Sequence, residues 1–381
     1  MSRVRLGDVV QRIKDPVDKD NTDLIYYVGG EHFTNRAFKV TNKGLIKGST
    51  IGPAFNTKFK SGDVLLMSRN PHLRKAGMVE FDGICSDVSY VIRTKDEKVL
   101  MQRFIPLLFQ TDMFWEFAEK NKKGSTNFFL NWKDFEQFEF ELPEMEKQIK
   151  LVEMLWSMVN TMDSYEEMLI KQDELIKSQF IEMFGDLISN PKYKGIELGT
   201  ICKTISGGTP TTKHPEYYSG NIPWVTTVQL GANYIDGSCA KAYITKEAID
   251  NSATHLIPAN NILFGTRVGV GKSSINTEPM CTNQDINAIV NIDTKKWNLL
   301  FIKLVLDNYE SHFDRIKKGA TILGINTNDL KNVMIPDVGK EMQNTYAIFV
   351  EQIDKSKFEI EKSLTELKML FQKIVKEQLE N

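Results

Sequence analysis

The stretch LVEMLWSMVNTMDSYEEMLIKQDELIKSQFIEM (residues 151–183) contains neither glycine nor proline and shows the strongest periodicity in the chain. Its apolar residues recur at alternating intervals of four and three, the heptad spacing of a helix that packs along another helix. We call the positions of this stripe the first seam. They are Leu151, Leu155, Met158, Met162, Tyr165, Leu169, Gln172, Ile176, Gln179 and Met183. A single buried helix would show a similar stripe, so the interpretation depends on a partner elsewhere in the chain.

A matching stripe lies 195 residues further on, in the same phase. The positions of this second seam are Tyr346, Val350, Ile353, Lys357, Ile360, Leu364, Leu367, Phe371, Ile374 and Gln378. Each stripe would form a helix of about 40 residues, roughly 60 Å long. Because both stripes keep one phase, the sequence predicts that the two helices form a coiled coil with each other.

The repetition extends upstream of both helices. Residues 122–126 read KKGST and residues 317–321 read KKGAT, again 195 residues apart. The residues that follow keep step as the pairs Asn131 and Asn326, Asp134 and Asp329, Phe135 and Leu330, and Phe140 and Ile335. More loosely, residues 6–7 correspond to 198–199, and residues 62–66 correspond to 260–264. One framework therefore carries two divergent variable parts, each with short strands and one or two helices, such as Phe104–Glu119 in the first.

The predicted order along the chain is globular part, helix, globular part, helix. The boundaries are 1–145, 146–184, 185–340 and 341–381, and the fold class is α+β. The two helical runs carry net charges of −4 and −2, so the total of −2 leaves +4 on the globular parts. The globular parts are therefore mildly basic, which suits a local anionic partner.

The composition is that of an ordinary soluble protein, with 381 residues, 41% hydrophobic and 26% charged. No apolar stretch approaches the roughly 20 residues of a membrane span, and no signal peptide follows Met1. The four cysteines lie far apart, which predicts reduced thiols and no zinc site. We therefore expect a cytoplasmic protein without a membrane segment or a bound metal.

The segment FGTRVGVGKSSINTEP (264–279) contains Gly271-Lys272-Ser273, as a phosphate-binding loop does. That loop also needs a glycine at position 266, which is Thr266 in this chain. A helix must follow, because its amino end binds the phosphate. Residues 273–279 show no helical periodicity and end in proline. The sequence predicts a basic hairpin turn here instead.

Basic and polar loops follow matching strands in both copies, and we treat them as candidate DNA contacts. Arginine can pair with guanine and asparagine with adenine through two hydrogen bonds, whereas lysine and serine suit phosphates. The candidates in the first copy are Arg69, Asn70, His72, Arg74, Lys75, Lys122 and Lys123. Those in the second are Thr209, Thr211, Thr212, Lys213, Thr226, Thr227, Gln229, Arg267, Lys272, Lys317 and Lys318. The alternatives are solvated basic turns and, for the KKG stretches, lysines that cap a helix end.

These stretches resemble the specificity subunit of type I restriction-modification systems. The second copy carries ISGGTPTTKHPEYYSGNIPWVTTVQL (205–230), which is similar to the opening of a target-recognition domain in that family. The first copy carries YYVGGEHF (26–33) and GDVLLMSRNPHLRKAGMVEFDGICS (62–86). The resemblance covers essentially the whole chain. It implies two target-recognition domains, each followed by a long helix, with the two helices packed as an antiparallel coiled coil with pseudo-two-fold symmetry.

The resemblance also implies a function and partners. Each target-recognition domain would read one half of a split site in double-stranded DNA, and the helices would fix the gap between the halves. Two modification subunits (adenine methyltransferases) would dock on the helices, and ATP-driven restriction subunits would join them. The chain itself would have no catalytic centre and no cofactor, because S-adenosylmethionine, ATP and Mg would be bound by those partners.

An antiparallel seam with full overlap fixes a register. Residue i of the first helix would face residue 529 − i of the second, so that Gln172 would face Lys357. Two polar interruptions of the apolar seams would then meet each other.

Two other functions are considered. Asn70-Pro71-His72-Leu73 matches in part the Asn-Pro-Pro-aromatic motif of adenine methyltransferases, but the second proline and the aromatic residue are missing. A two-headed scaffold that touches no DNA would keep the coiled coil and have no need of the basic loops. DNA binding that weakens steeply with added salt would distinguish a DNA-reading protein from such a scaffold.

Overall fold

A computed structural model describes residues 2–319 and 323–380 of the chain. The chain forms two compact units, which we call unit 1 (residues 1–168 and 360–381) and unit 2 (residues 169–359). Each unit therefore combines one globular part with one half of each long helix, which the four-part division predicted from the sequence did not anticipate. Ala320 and Thr321 of the second KKGAT stretch lie outside the described residues.

Unit 1 contains two four-stranded sheets. Its strands are β1 Ser2–Arg5, β2 Val10–Ile13, β3 Tyr26–Val28, β4 Gly44–Leu45, β5 Phe55–Phe59, β6 Val64–Met67, β7 Ala76–Met78, β8 Gly83–Ser86, β9 Ser89–Thr94 and β10 Glu139–Leu142. Its helices are α1 Leu6–Val9, α2 Ile105–Leu108, α3 Asp112–Lys120, α4 Trp132–Phe135 and the first long helix, α5 Met145–Phe184, as far as residue 168. The sheets have the strand orders β2-β9-β6-β7 and β4-β3-β8-β5.

Unit 2 contains a five-stranded and a three-stranded sheet. Its strands are β11 Gly185–Asp186, β12 Asn190–Pro191, β13 Gly195–Glu197, β14 Lys203–Ser206, β15 Ile222–Val225, β16 Tyr234–Ile235, β17 Ala242–Ile244, β18 Asn261–Gly265, β19 Ser273–Asn276, β20 Cys281–Thr282, β21 Ile286–Val290 and β22 Met334–Pro336. Its helices are α6 Leu198–Ile201, α7 Lys246–Asp250, α8 Leu299–Asn308, α9 Glu310–Ile316, α10 Thr327–Lys331 and the second long helix, α11 Lys340–Leu379, as far as residue 359. The sheets have the orders β14-β21-β18-β19-β16 and β17-β15-β20.

The internal repeat predicted from the sequence is present in the topology. The antiparallel series β2-β9-β6-β7 of unit 1 matches β14-β21-β18-β19 of unit 2, and the parallel pair β3-β8 matches β15-β20. Equivalent loops are closed by equivalent hydrogen bonds. The amide of Leu6 donates to the carbonyl of Phe138 at 2.7 Å, and that of Leu198 donates to Val333 at 2.8 Å. One framework therefore carries both variable parts.

The central strands are apolar at consecutive positions because both faces of the sheet are covered. In β6, Val64 and Leu66 pack into the cluster that contains the helices of unit 1, whereas Leu65 packs into the cluster of the second sheet. In β18 of unit 2, Ile262 and Leu263 divide in the same way. Side chains of a strand alternate between its two faces, so such a run identifies a strand that is buried on both.

The prediction of one helix over Phe104–Glu119 is wrong. The structure has the short helix α2 and then α3, separated at residues 109–111. Thr111 has extended backbone angles, and its side chain accepts a hydrogen bond from the amide of Phe114 at 3.3 Å. A threonine N-cap therefore starts a new helix inside an apolar run that is typical of one continuous helix.

The long helices are antiparallel within each unit, as predicted. In unit 2, Gln172 donates to Ser356 at 2.9 Å and Lys357 pairs with Asp173 at 2.6 Å. Each contact differs from the predicted pair of Gln172 and Lys357 by one residue on one of the two helices. In unit 1, Lys368 pairs with Glu166 at 2.7 Å.

Burial follows the two predicted seams. The buried seam residues are Leu151, Leu155, Tyr346, Val350, Ile353, Leu364 and Phe371. The half-buried ones are Met158, Met162, Tyr165, Leu169, Gln172, Ile176, Gln179, Met183, Lys357, Ile360, Leu367 and Ile374, and Gln378 is exposed. A stripe of buried and half-buried side chains between exposed neighbours is what a two-helix contact produces.

The register can be tested by chemical crosslinking. We expect Gln172→Cys with Ser356→Cys to react with a short bis-maleimide, because these side chains touch at 2.9 Å. Gln172→Cys with Thr345→Cys is the control, since a shift of about 11 residues moves the second thiol roughly 16 Å along the helix. Native Cys85 and Cys281 interfere little, because burial raises the pKa of Cys85 to about 12 and of Cys281 to about 11. Equal crosslinking of both pairs would reject the register.

Candidate nucleic-acid interface

In both units a basic hairpin returns to the loop that follows the central strand. In unit 1, the amide of Lys123 donates to Phe129 at 2.7 Å, and the amide of Leu130 donates to Ser68 at 2.9 Å. In unit 2, the amide of Lys318 donates to Gly324 at 2.8 Å, and that of Ile325 donates to Thr266 at 2.8 Å. The two basic segments that the sequence marks separately in each copy therefore form one site, which we call the basic site of that unit.

The loop after the central strand is anchored in the same way in both units. Ser68 Oγ donates to the carbonyl of Val88 at 2.6 Å, and Thr266 Oγ1 donates to the carbonyl of Asp285 at 3.1 Å. The next residue in each chain segment is an exposed arginine, Arg69 or Arg267. A buried hydroxyl thus holds the backbone while the arginine beside it stays at the surface.

The basic site of unit 2 is a cleft of about 870 Å³. Arg267, Arg315 and Lys318 line it, together with residues 324–326 and one acid, Asp329. Arg267 is 57% exposed, and its nearest carboxylate is that of Asp285 at 3.9 Å. Three cations around one cleft make a surface that attracts a polyanion, and arginine adds the ability to read base edges.

The basic site of unit 1 contains the equivalent residues. Arg69 and Lys123 are exposed and form bridges to the same residue, Phe129, whose ring is 37% exposed. Counting back 195 residues from Arg315 gives Lys120, which is exposed at the end of α3. An arginine and two lysines therefore lie at the positions of the unit 2 cations.

The KKG stretches divide between the two alternatives considered for them. The first lysine of each pair binds an acid three residues earlier on its own helix, Lys122 to Glu119 at 2.7 Å and Lys317 to Asp314 at 2.8 Å. These lysines lie just beyond the C-terminal ends of α3 and α9, where a positive charge interacts favourably with the helix dipole. The second lysine of each pair is exposed at its basic site. For Lys122 and Lys317 the structure thus favours the structural alternative.

Several candidates after β6 are held by the protein itself. Arg74 donates to Asp112 at 2.5 Å, and Arg36 shares that carboxylate. Lys75 Nζ donates to the carbonyl of Gly30 at 2.6 Å. Asn70 has left-handed backbone angles, and its amide donates to Phe128 at 2.8 Å. These contacts shape the loop, so Arg69 and His72 are its exposed candidates.

Thr227 is a correction to the predicted DNA contacts. Its side chain is buried, with 3% of the residue exposed. The methyl group of Thr227 lies close to Gly265, where an added Cβ would approach it to 3.3 Å. It packs beneath the loop that carries Arg267 and does not reach the surface.

The remaining candidates of unit 2 form two groups. Thr226 Oγ1 bonds the side chain of Gln229 at 2.9 Å, which closes the short helix Thr227–Gln229, and Thr209 bonds Gln284. The second group is defined by exposure alone, and within it Thr211 Oγ1 accepts a hydrogen bond from the backbone amide of Lys213 at 3.3 Å. Thr211, Thr212, Lys213 and Lys272 are exposed, as is His72 of unit 1, and their DNA contacts stay predictions.

The segment 264–279 is a hairpin, as predicted, and the phosphate-binding loop is excluded. Phe264 of β18 pairs with Ser273 of β19 in an antiparallel ladder. Gly269 and Gly271 have positive φ values of 70° and 91°, which a tight turn needs and which glycine adopts without strain. Because a strand follows Lys272, no helix amino end is available to bind a phosphate there.

In each unit one buried glutamine, which was not among the candidate residues, joins the globular part to its long helix through hydrogen bonds. Gln148 is fully buried, donates to the carbonyls of Val99 and Pro143 at 2.9 Å, and accepts from the amide of Met101 at 3.1 Å. Gln343 makes the equivalent bonds in unit 2, with the amide of Asn298 donating at 2.9 Å. The signal was their shared offset of 195 residues.

Within residues 2–319 and 323–380, no group of three or more His, Cys, Asp or Glu side chains is placed to hold a metal ion. Over the same residues, no helix is both long and apolar enough to cross a membrane.

Two similar units, each with an exposed basic site after its central strand, define a protein built from a duplicated domain. The family model of the type I restriction modification DNA specificity domain matches residues 1–172 and again residues 190–368. The chain therefore belongs to this family and carries its domain twice.

Curated relatives share parts of the chain. It is 29% identical over 155 residues to the specificity subunit of the type I restriction enzyme MjaIX of Methanocaldococcus jannaschii, over 40% of this chain and 36% of that protein. It is 38% identical over 98 residues to the EcoR124I/EcoR124II specificity subunit of Escherichia coli, over 24% of each. The chain thus spans about a third or less of the length of these relatives.

Two solved structures share the fold. The S subunit of a type I restriction-modification system from M. genitalium matches with a TM-score of 0.62 at 13% identity, over 98% of this chain and 95% of that chain. A chain from a study of complex assembly and conformational transition of the type I R-M system matches with a TM-score of 0.58 at 19% identity, over 98% and 96%. At these identities the likeness establishes the architecture alone.

Proposed function

We propose that this chain is the DNA-specificity subunit of a type I restriction-modification complex and that each unit reads one half of a split DNA site. The observation that carries the proposal is the basic site that recurs in both units. In each, an exposed arginine follows the central strand and an exposed lysine reaches it on the hairpin. The variable loops around the two sites differ, so the two half-sites should differ in sequence.

The long helices supply surfaces for partner subunits. Leu175 of the first helix and Leu370 of the second lie 195 residues apart in sequence and are 47% and 50% exposed. Equivalent exposed apolar residues on equivalent helices suit two copies of one partner. We therefore propose two modification subunits there, with restriction subunits recruited by the complex. S-adenosylmethionine, ATP and Mg would be bound by those subunits, and the assembly would act on DNA in the cytoplasm.

Paired single substitutions test this function. In the complex with its modification subunits, Arg69→Ala and Arg267→Ala should each weaken DNA binding by about 1–3 kcal/mol and relax base preference at one position. The two positions should fall in different halves of the site. Arg5→Ala is a matched control, because Arg5 is also 57% exposed and pairs with Glu139 away from the basic site.

The readout is the base preference of each variant across a library of DNA duplexes. Relaxed preference in the same half for both variants would contradict the proposal, as would equal loss for Arg5→Ala. A loss that is uniform across sequences would assign the arginine to a phosphate contact.

A further inference from the structure

We propose that Lys303 is the positioning residue that fixes the DNA-reading part of unit 2 on its segment of the helix pair and so sets the tolerated gap between half-sites. This inference rests on the proposed function. Lys303 lies in α8 among buried apolar neighbours, and its side chain is only 4% exposed. A buried ammonium is costly unless it is fully paired, so its partners indicate what it holds together.

One partner connects Lys303 to the basic site. Lys303 Nζ donates to Asp307 Oδ2 at 2.7 Å. The other oxygen of Asp307 accepts from Ser273 Oγ at 2.8 Å. Ser273 directly follows Lys272 and begins the second strand of the hairpin that carries Arg267. The position of that hairpin is therefore tied to α8 through a charged carboxylate.

The other partner connects Lys303 to the second long helix. Lys303 Nζ donates to Asn233 Oδ1 at 2.7 Å. The side-chain nitrogen of Asn233, Nδ2, in turn donates to Asp354. The neighbouring residue Tyr234 donates to Glu351 at 3.1 Å, one turn earlier on that helix. The chain of bonds thus runs from the recognition hairpin through one buried ammonium to the helix.

The ammonium acts on both carboxylates. Burial raises the pKa of Asp307 and of Asp354, and the positive charge of Lys303 opposes that rise at each of them. Lys357 adds to the effect at Asp354 and itself pairs with Asp173 of the first long helix. One network therefore includes the hairpin, α8 and both helices within unit 2.

Stability alone does not explain an ion pair with a buried ammonium group at this place. Well-packed apolar residues of similar volume are often as stable as a buried ion pair or more stable, because the charges lose their hydration. Directional bonds instead fix orientation, since they fail when a partner moves by about an ångström. We infer that the network selects one orientation of the hairpin on the helix.

Unit 1 is built differently at the equivalent place. The offset of 197 residues, set by Met101 and Asn298, puts Pro106 and Gln110 where unit 2 has Lys303 and Asp307. The contact with the helices there combines aromatic rings with a lysine, because Lys39 Nζ donates to Asn160 Oδ1 at 3.0 Å and to Asp163 Oδ2 at 2.9 Å. Phe38 lies 4.6 Å from the ring of Trp156 and 5.9 Å from that of Phe371. Both units therefore make a polar contact with a long helix, but the lysine and aspartate pair on α8 is specific to unit 2.

The test uses the complex with its modification subunits and DNA duplexes whose gap is optimal, one base pair shorter or one base pair longer. One base pair changes the separation of the half-sites by about 3.4 Å and their rotation by roughly 35°. In the double variant Lys303→Met with Asp307→Leu, apolar side chains replace both charges so that the fold is kept. Asp354→Ala breaks the same network at the helix without altering α8.

We expect both variants to retain base preference in each half-site while discrimination against the two altered gaps falls about tenfold. Lys368→Met with Glu166→Leu, which removes an exposed ion pair of the helices in unit 1, should leave gap discrimination unchanged. Full gap discrimination in a folded Asp354→Ala or double variant would overturn this inference and leave the proposed function standing. A wild-type complex that ignores the gap would overturn the proposed function and this inference with it.

Discussion

Replacement of Arg267, Arg315 and Lys318 together by glutamine should weaken DNA binding by the complex about 100- to 1000-fold, or roughly 3–4 kcal/mol. These residues line one cleft, and among the described residues the carboxylate nearest to Arg267 is that of Asp285, 3.9 Å away. Each cation that contacts a phosphate releases a counterion. The slope of log affinity against log salt should therefore decrease by up to about three.

The matched control removes the same charge elsewhere on unit 2. Lys194, Lys295 and Lys296 are exposed. They lie near the start of the second long helix, where the carbonyl of Lys194 accepts a hydrogen bond from the backbone amide of Asp337 at 2.9 Å. Their triple glutamine variant should bind DNA nearly as well as the wild type. An equal loss in both variants would show that net charge matters and that the cleft has no special role.

Gln148→Met and Gln343→Met should each destabilise the protein by about 2–4 kcal/mol, since two carbonyls and one amide, one of them in a buried bond, lose their partner in each case. Methionine keeps the length of the side chain, so the loss measures hydrogen bonding and not a cavity. Thermal unfolding should begin roughly 4–10 °C lower for each variant.

The glutamine at 352 provides the comparison, because it lies exposed on the second long helix. Gln352→Met should shift thermal unfolding by about 1 °C or less, as surface substitutions usually change stability by under about 0.5 kcal/mol. If Gln148→Met behaved like Gln352→Met, the role of Gln148 in joining the first globular part to its helix would be rejected.

The long helices and the repeated framework could be predicted because both produce regular spacings of residues in the sequence. A seam at fixed phase over ten positions specifies a helix contact without reference to the rest of the fold. The pair at offset 195, Asn131 and Asn326, occupies the N-cap position of the equivalent short helices α4 and α10, although only Asn326 accepts bonds from the helix amides.

The contents of the basic sites were harder to predict, because they depend on residues that are distant in sequence. Arg315 and Lys120 became candidates only when the hairpins were seen to return beside the central strands. Arg74 belongs with Asp112, 38 residues further on, which no local pattern reveals. For Lys122 and Lys317 a local signal existed, namely an acid three residues earlier in both copies.

Burial of polar side chains was the other gap. A glutamine in the first turn of a long helix usually faces solvent, and only the loop packed over it makes Gln148 a fastening residue. The same holds for Lys303, whose position among the apolar residues of α8 gives no sign that Asp307 and Asn233 bind its ammonium group. Hydrogen bonding between distant segments decides these roles, and periodicity does not record it.

The most direct test of the central claim is methylome sequencing of a host that lacks other adenine methyltransferases and carries this chain with its modification subunit. Two unlike reading units on one chain predict a single methylated motif with two different half-sites separated by a fixed gap of unspecified bases. Arg69→Ala should relax one half of that motif and Arg267→Ala the other. A continuous motif without a gap, or methylation that is unchanged by both variants, would contradict the account.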